Sequence, residues 1–359
     1  MKHKLKAALL VASLLGLGLG APAQAATAKK PVEQANKKVV AKPAVKPSQK
    51  LAAKPAPQKV ATAPSKSAGK SVRTAKSGKS GKTLHAAVDT PRKSMRRVSM
   101  ADIDPGQLAL YSSSALVIDQ NTGQTVLEKQ PNAVLPIASI SKLMTAMVVL
   151  DAKLNMQDVI AIGDEDVDGL KGTRSRLPVG TTMTRETAML LALMSSENRA
   201  AHALGRHYPG GLGAFVQAMN RKAQALGMYN SRFEEPTGLS SNNVSTAHDL
   251  ARMVAAAARY PEIRAFSTTA EARVELNGRI SDFHNTNALV RSDTWEIGIS
   301  KTGYISEAGR CLVMQARVAD KPVVIVLLDS QGKMTRVGDA NRIKRWMESA
   351  GLTLERRPV

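Results

Sequence analysis

Ser139-Ile140-Ser141-Lys142 places a hydroxyl and an amine three residues apart, at the start of a strongly apolar helical pattern. Residues i and i+3 of a helix lie on one face, so these two groups can meet. The apolar residues that share a buried face at this spacing are Ile140, Leu143, Met144, Met147 and Val148. Because burial favours the neutral form of lysine, Lys142 is predicted to take the proton of Ser139 and make it a nucleophile.

The S-x-x-K pattern occurs three times, so its setting must decide which copy matters. Ser67–Lys70 lies in a Lys/Ser/Gly-rich stretch where such matches arise freely, and Ser330–Lys333 is predicted to lie in a turn after a strand. Ser139–Lys142 alone opens a predicted helix. Ser139 is therefore the candidate nucleophile.

Two further motifs supply groups that such a nucleophile needs. Ser196-Glu-Asn198 offers a hydroxyl and an amide in a region of helical pattern, while its lookalikes at 240–242 and 241–243 lie in a polar loop. Lys301-Thr302-Gly303 is predicted to lie in a strand. Its cation and hydroxyl can clamp a carboxylate, and its glycine lets a substrate backbone approach the strand edge.

The predicted elements of residues 101–359 indicate an α+β fold. A hairpin around 120–124 comes first. Strands at 297–304, 310–318 and 323–329 and a closing helix at about 338–349 come last. Between them lie helical patterns at 183–207, 212–226 and 245–258. Strands at both ends with helices between them predict one antiparallel sheet, formed by the N- and C-terminal strands, with a helical lobe beside it.

Five stretches carry a family resemblance: 136–146, 193–201, 235–240, 284–287 and 300–304. Serine with lysine, then S-x-N, then K-T-G is the pattern of penicillin-binding proteins and serine β-lactamases. From about 111 to 349 the chain resembles low-molecular-mass penicillin-binding proteins of the D-alanyl-D-alanine peptidase type, and more narrowly the secreted D-alanyl-D-alanine endopeptidases. The resemblance implies a β-lactamase/transpeptidase-like fold.

The resemblance also implies roles for the motif residues. Ser139 forms an acyl-enzyme and Lys142 accepts its proton, while Ser196 and Asn198 assist proton transfer and orient the substrate. The implied oxyanion hole consists of the backbone N–H groups of Ser139 and Tyr304.

For the substrate, the resemblance implies that Lys301 and Thr302 bind the carboxylate next to the scissile bond, with Gly303 and Tyr304 completing the substrate-binding set. The implied substrates are the peptide stems of peptidoglycan, and β-lactam antibiotics are the implied covalent inhibitors. Neither a metal nor a cofactor is implied.

The first 100 residues differ from the rest. Residues 1–25 read as a secretory signal peptide that ends in a small-residue cleavage site, which predicts a periplasmic protein. Residues 26–100 contain 19 Lys and Arg against only Glu33 and Asp89, and they have almost no large apolar side chains. They are predicted to be a disordered basic linker that attracts anionic polymers or a membrane surface, or serves only as a spacer. The export signal and the lack of interleaved aromatic residues argue against a nucleic-acid partner.

Three alternatives stay open. D-alanyl-D-alanine carboxypeptidases usually carry a further β-rich domain and an amphipathic C-terminal helix, whereas this chain has 56 residues after Gly303 and no such pattern at its end. A serine β-lactamase needs a carboxylate that activates water, but the Glu234–Glu235 region lacks Glu-x-x-x-Asn. The third alternative is a non-catalytic wall-binding protein whose basic tail is the working part.

The cysteine and the histidines, which could in principle bind a metal, are interpreted as structural residues. Cys311, the only cysteine, is predicted to be buried in a strand. The histidines at 202 and 207 fall in a helical segment and at its end, His248 in a helix, and His284 in a polar turn. Their spacing does not require a metal site.

Overall fold

A computed structural model describes residues 108–355, with side chains as far as residue 350. The proposed signal peptide (1–25) and basic linker (26–100) lie outside the described residues. The strands are β1 (Ser112–Asp119), β2 (Thr125–Lys129), β3 (Leu135–Pro136), β4 (Val159–Ala161), β5 (Thr182–Thr184), β6 (Val244–Ser245), β7 (Glu271–Leu276), β8 (Arg279–His284), β9 (Glu296–Ile305), β10 (Gly309–Val318) and β11 (Lys321–Ser330). The helices are α1 (Ser141–Asp151), α2 (Arg185–Met194), α3 (Asn198–Arg206), α4 (Gly211–Ala225), α5 (Ala247–Ala257), α6 (Pro261–Thr268) and α7 (Thr335–Glu355).

The main sheet has five antiparallel strands in the order β2-β1-β11-β10-β9. Strand β1 pairs with β11 from Ser112 opposite Ser330 to Asp119 opposite Val323. The predicted pairing of N- and C-terminal strands, and with it the α+β fold, is confirmed. Strand β9 is an edge strand, so one side of its backbone is open to a neighbour other than a sheet strand.

Both faces of this sheet are buried, which explains the nearly continuous apolar runs of its central strands. Successive side chains of a strand point to opposite faces. Thus Val326 packs into the core shared with the helical lobe, while Leu327 packs into a second core with Trp346 of α7. Buried Asp339 of α7 accepts hydrogen bonds from the backbone N–H and the hydroxyl of Ser112, which tie the first strand to the last helix.

Helices α1 to α6 form the lobe between β2 and β9, and α1 is its most buried element. Leu143, Met144 and Met147 are completely buried. The start of α2 is capped by Thr184, whose hydroxyl accepts from the N–H of Thr187, and that of α5 by Thr246, which accepts from Asp249. Within the described part of the chain no helix is both long and apolar enough to cross a membrane.

Three local predictions are wrong. The helical pattern at 183–207 is two helices, α2 and α3, because the chain breaks at 195–197, where Ser196 has a positive φ of 62°. His284 ends strand β8, part of a hairpin with β7 that was not among the predicted elements, rather than lying in a turn. Ser330 is the last residue of β11 rather than part of a turn, and its hydroxyl lies 2.6 Å from that of Ser112.

Candidate active site

Ser139 lies in a short 3-10 helix, Ala138–Ile140, that runs directly into α1. The α-helix therefore begins at Ser141, two residues after its predicted start at Ser139. The i, i+3 relation still places Lys142 Nζ 2.8 Å from Ser139 Oγ. Ala138 has a positive φ of 48°, so the turn before the serine is held in an unfavourable conformation. Ser139 is partly exposed whereas Lys142 is fully buried.

The contacts of Lys142 determine what its amine can do. Nζ lies 2.8 Å from Asn198 Oδ1 and 2.6 Å from the backbone oxygen of Thr237, and both of these atoms are acceptors only. A neutral lysine has two N–H groups and one lone pair. When the two carbonyl oxygens take both N–H groups, the lone pair faces the Ser139 hydroxyl.

Electrostatics favours this neutral form. Burial lowers the pKa of Lys142 from its ordinary value to about 7, although the carboxylates of Glu235 and Glu197 oppose the shift. A base with a pKa near neutrality holds its lone pair in a large fraction of molecules and still accepts a proton readily. The arrangement can therefore deprotonate Ser139.

A second lysine occupies the other side of the site. Lys301 of β9 is buried, and its Nζ donates to Ser196 Oγ over 2.9 Å and to the backbone oxygen of Thr302 over 3.0 Å. Burial, then the positive charges of Lys142 and Arg336, hold the pKa of Lys301 well below its ordinary range. Ser196 reaches Lys301 from the break between α2 and α3, and its positive φ directs it there.

The remaining residues of the K-T-G strand form one wall. The Thr302 hydroxyl lies 2.7 Å from that of Thr286, which precedes the buried Asn287. Gly303 packs so closely on the turn that carries Ser139 that a Cβ there would lie 3.1 Å from the backbone nitrogen of Ser139. Tyr304 is mostly exposed, and the guanidinium of Arg310 lies 4.6 Å from its ring centroid.

The structure thus brings the eight predicted site residues to one place, around Ser139. The loop 235–243 also lies at the site. Its residues 235–240 belong to the family resemblance, but no role was predicted for them. The Glu235 carboxylate accepts from the backbone N–H groups of Thr237 and Gly238, both over 2.6 Å, and so presents the Thr237 carbonyl to Lys142. Gly238, with a φ of 82°, lies against the carbonyl of Ala138.

Arg336 is a further residue that sequence reasoning missed. It lies in the first turn of α7, and its guanidinium donates to the backbone oxygen of Gly303 over 2.9 Å. The chain around it has the composition of an ordinary turn and helix start, so only the fold reveals its proximity to the K-T-G strand. It adds a positive charge behind that strand.

His202 and Cys311 lie near the site but are engaged in structural contacts: His202 lines a pocket with Asn198 and Thr237, and Cys311 lies opposite Gly303 in the pairing of β10 with β9. His202 Nδ1 lies 2.7 Å from the buried carboxylate of Asp166, which Arg206 also contacts. Among residues 108–355 no group of three or more His, Cys, Asp and Glu side chains is placed to hold a metal ion. Cys311 is buried in β10, as predicted, and burial raises the pKa of its thiol to about 11.

Comparison with known proteins gives consistent results. The model of the D-alanyl-D-alanine carboxypeptidase family matches residues 100–332. A D-alanyl-D-alanine endopeptidase of Pseudomonas aeruginosa is 50% identical over 251 residues, covering 69% of this chain and 81% of that protein. The Escherichia coli D-alanyl-D-alanine endopeptidase is 47% identical over 245 residues, 68% and 79% of the two chains.

Solved structures resemble the fold as well. A Streptomyces DD-transpeptidase superposes with a TM-score of 0.62 at 26% identity, covering 68% of this chain and 98% of that one. A D-alanyl-D-alanine carboxypeptidase of Mycobacterium tuberculosis gives a TM-score of 0.61 at 25% identity, with 66% and 91% coverage. The β-lactamase/transpeptidase-like fold implied by the motifs is confirmed.

Proposed function

The chain belongs to the D-alanyl-D-alanine carboxypeptidase family of serine peptidases, and from this membership we propose that it hydrolyses D-alanyl bonds of peptidoglycan through an acyl-enzyme on Ser139. The observation that carries the proposal is the environment of Lys142, whose two carbonyl acceptors leave the amine lone pair for the Ser139 hydroxyl.

The proposed reaction has two halves. Ser139 Oγ attacks the D-alanyl carbonyl carbon while its proton passes to Lys142, and the backbone N–H groups of Ser139 and Tyr304 hold the oxyanion. The C–N bond then breaks, the proton held by Lys142 passes through the Ser196 hydroxyl to the leaving amine, and an ester remains on Ser139. Water then adds to the ester while neutral Lys142 takes its proton. The bond from the carbonyl carbon to Oγ breaks, Lys142 returns the proton to Oγ, and a carboxylate product and free Ser139 result.

Substrate binding is assigned to the opposite wall. Lys301 and Thr302 are proposed to hold the carboxylate next to the scissile bond, and the open edge of β9 at Gly303 and Tyr304 is proposed to align the peptide backbone. Burial and the charges of Lys142 and Arg336 lower the pKa of Lys301, so the carboxylate of a bound substrate is proposed to favour the protonated amine and pair with it. β-Lactam antibiotics, which offer an acyl group and a carboxylate, are proposed to acylate the same serine.

Within the family, we propose the endopeptidase reaction, cleavage of a D-alanyl peptide cross-link. The support is the 47% and 50% identity to two proteins named D-alanyl-D-alanine endopeptidase. The test is digestion of purified cross-linked dimers and of uncross-linked pentapeptide muropeptides, followed by mass spectrometry of the products. Conversion of dimers to monomers supports the proposal. Loss of the terminal alanine from monomers, with dimers left intact, would instead assign carboxypeptidase activity.

The β-lactamase alternative lacks support from the two glutamates. Glu235 directs its carboxylate into its own loop, and Glu234 accepts from the Ser240 hydroxyl and from Asn242. Neither is free to activate a deacylating water. We therefore expect the penicillin adduct to persist, and rapid turnover of the antibiotic would favour the alternative.

The pH dependence of acylation follows from Lys142. The amine accepts a proton only when neutral, and its pKa is about 7. Below that value the rate of acylation by a fluorescent penicillin is expected to fall about tenfold per pH unit. Stopped-flow measurement between pH 5 and 9, with circular dichroism to verify the fold, checks this. A rate that stays constant down to pH 5 would contradict the assignment of the base.

The proposal also covers the N-terminal 100 residues, which concern export and attachment. We propose that residues 1–25 direct export to the periplasm and that the basic segment 26–100 attracts anionic wall polymers or the membrane surface. N-terminal sequencing of the protein from a periplasmic extract tests the first point. Deletion of residues 26–100 tests the second: sedimentation with isolated wall should decrease, while cleavage of soluble muropeptides persists. Loss of that cleavage would favour the non-catalytic alternative.

A further inference from the structure

The turn at residues 168–173 lies beside the active site and contacts one of its side chains. The carboxylate of Asp168 accepts from the backbone N–H groups of Leu170, Lys171 and Thr173, at 2.8 to 2.9 Å, and from the Thr173 hydroxyl at 2.6 Å. The amide nitrogen of Asn198 donates to the same hydroxyl oxygen over 3.0 Å. A continuous path of hydrogen bonds therefore runs from Asp168 through Thr173 and Asn198 to Lys142.

This path has only one possible direction. An ionised carboxylate has no proton to donate, so the Thr173 hydroxyl must donate its only hydrogen bond to Asp168. Its oxygen can then only accept, and the Asn198 group that faces it must be the NH2. Consequently Asn198 Oδ1 faces Lys142. Partial burial would raise the pKa of Asp168, but the hydrogen bonds from Thr173 and the turn backbone lower it, which keeps the carboxylate ionised.

We propose that Thr173 is a positioning residue for Lys142: its hydroxyl, oriented by Asp168, holds the Asn198 amide with Oδ1 toward the lysine. The inference rests on the proposed function, because it assumes that Lys142 is the base for Ser139. With the amide reversed, the Asn198 NH2 would compete for the lysine lone pair. The amine would then turn an N–H toward Ser139, which is the wrong polarity for accepting its proton.

The turn is attached to the protein at points that do not involve Thr173. Lys171 forms an ion pair with Glu307 at the end of the β9–β10 hairpin, at 2.5 Å. Just beyond the turn, the Ser175 hydroxyl and Arg176 contact the buried carboxylate of Glu197 at 2.7 and 2.9 Å. Removal of the Thr173 hydroxyl should therefore leave the turn in place and affect mainly the Asn198 amide.

The test compares Thr173→Val, which keeps the shape and loses the hydroxyl, with Thr173→Ser, which keeps the hydroxyl. Thr173→Val is expected to slow acylation by a fluorescent penicillin about tenfold, the effect of one net hydrogen bond, with little change in the preceding noncovalent binding constant. Thr173→Ser is expected to stay within about twofold of the natural protein. Thr173 is exposed, so neither change should prevent folding.

The pH profile of acylation distinguishes a loss of Lys142 positioning from a general loosening of the turn at residues 168–173. The charged groups that act on Lys142 are Glu235, Glu197 and Lys301, and Thr173→Val changes none of them. Loss of the Asn198 acceptor disfavours the ammonium form, so the acidic limb of the acylation profile should move to lower pH. Lys171→Met breaks the ion pair with Glu307 and keeps the Thr173 hydroxyl. This variant should leave unchanged both the acylation rate and the pH at which acylation begins to fall.

Three outcomes would overturn the inference. These are an unchanged rate in Thr173→Val, an equal loss in Thr173→Val and Thr173→Ser, or an equal loss in Lys171→Met, which would assign the effect to the order of the turn. Failure of the proposed function has a different signature. In that case the unsubstituted protein itself would show no penicillin adduct and no cleavage of cross-linked muropeptides.

Discussion

Ser139→Ala is expected to abolish both labelling by a fluorescent penicillin and cleavage of cross-linked muropeptides. Without Oγ no ester can form, so the loss should be at least about a thousandfold. The fold should persist, because Lys142 keeps its contacts with Asn198 and the Thr237 carbonyl. Gel fluorescence after incubation with the penicillin, and chromatography of digested dimers, measure the two activities.

Matched controls come from the other copies of the S-x-x-K pattern. Ser67→Ala lies outside the described residues, and Ser330→Ala removes a hydroxyl in the main sheet that contacts Ser112. Both variants should label and cleave normally, although Ser330→Ala should melt at a slightly lower temperature. An adduct on Ser139→Ala, located to another residue by peptide mass mapping, would show that the nucleophile is wrongly assigned.

Gly238→Ala is expected to disable the site by displacing its nucleophile rather than by removing a reacting group. A Cβ at this position would lie 1.9 Å from the backbone oxygen of Ala138 and 2.7 Å from the nitrogen of Ser139. The clash is with backbone, so the turn that carries Ser139 must move. A shift of about 1 Å at a reacting atom costs about a hundredfold in rate, and we expect acylation to slow by at least that factor.

The control for this variant is Gly123→Ala. Gly123 has a φ of 72°, close to the 82° of Gly238, but a Cβ there meets no atom within 4 Å. Both variants should lose about 1 kcal/mol of unfolding free energy from the positive φ. Only Gly238→Ala should lose about 2 kcal/mol more and slow acylation. Urea unfolding measures the loss of stability, and penicillin acylation rates measure the displacement of Ser139. Equal acylation rates in both variants would show that the loop around Gly238 can shift without displacing Ser139.

The sequence predicted those parts of the fold that depend on periodicity. Strands β10 and β11 contain the apolar runs Cys311–Met314 and Val323–Leu328, β9 begins with alternating Ile297 and Ile299, and helices α4 and α5 carry clear helical patterns. The positions of these elements were predicted nearly correctly. The family inferred from the order of the three motifs is confirmed. The β7–β8 hairpin was predictable from the sequence but was not predicted: Glu271–Leu276 alternates polar and apolar residues, and Asn277–Gly278, both at positive φ, form the two-residue turn typical of hairpins.

The candidate site was predictable only where side chains carry the chemistry. Ser139, Lys142 and Lys301 are recognisable from residue type and spacing. The Thr237 carbonyl that completes the Lys142 environment is a backbone group, and any residue type can supply one. The position of Ser196 depends on an αL conformation that interrupts an otherwise continuous helical pattern, and local propensity does not predict such tertiary control of the backbone.

The pairing of β1 with β11 has a consequence for the order in which the molecule assembles. Strand β1 can pair at once with the adjacent β2, but its other neighbour, β11, begins only at Lys321. The edge of β1 that faces β11 therefore stays unpaired until the C-terminal strands join the sheet. Contacts between such distant segments form slowly. The lobe that carries Ser196 can collapse earlier, but Lys301 reaches it only when the sheet closes. Catalytic competence should therefore appear last in refolding, and intermediates that expose the edge of β1 facing β11 should be prone to aggregation.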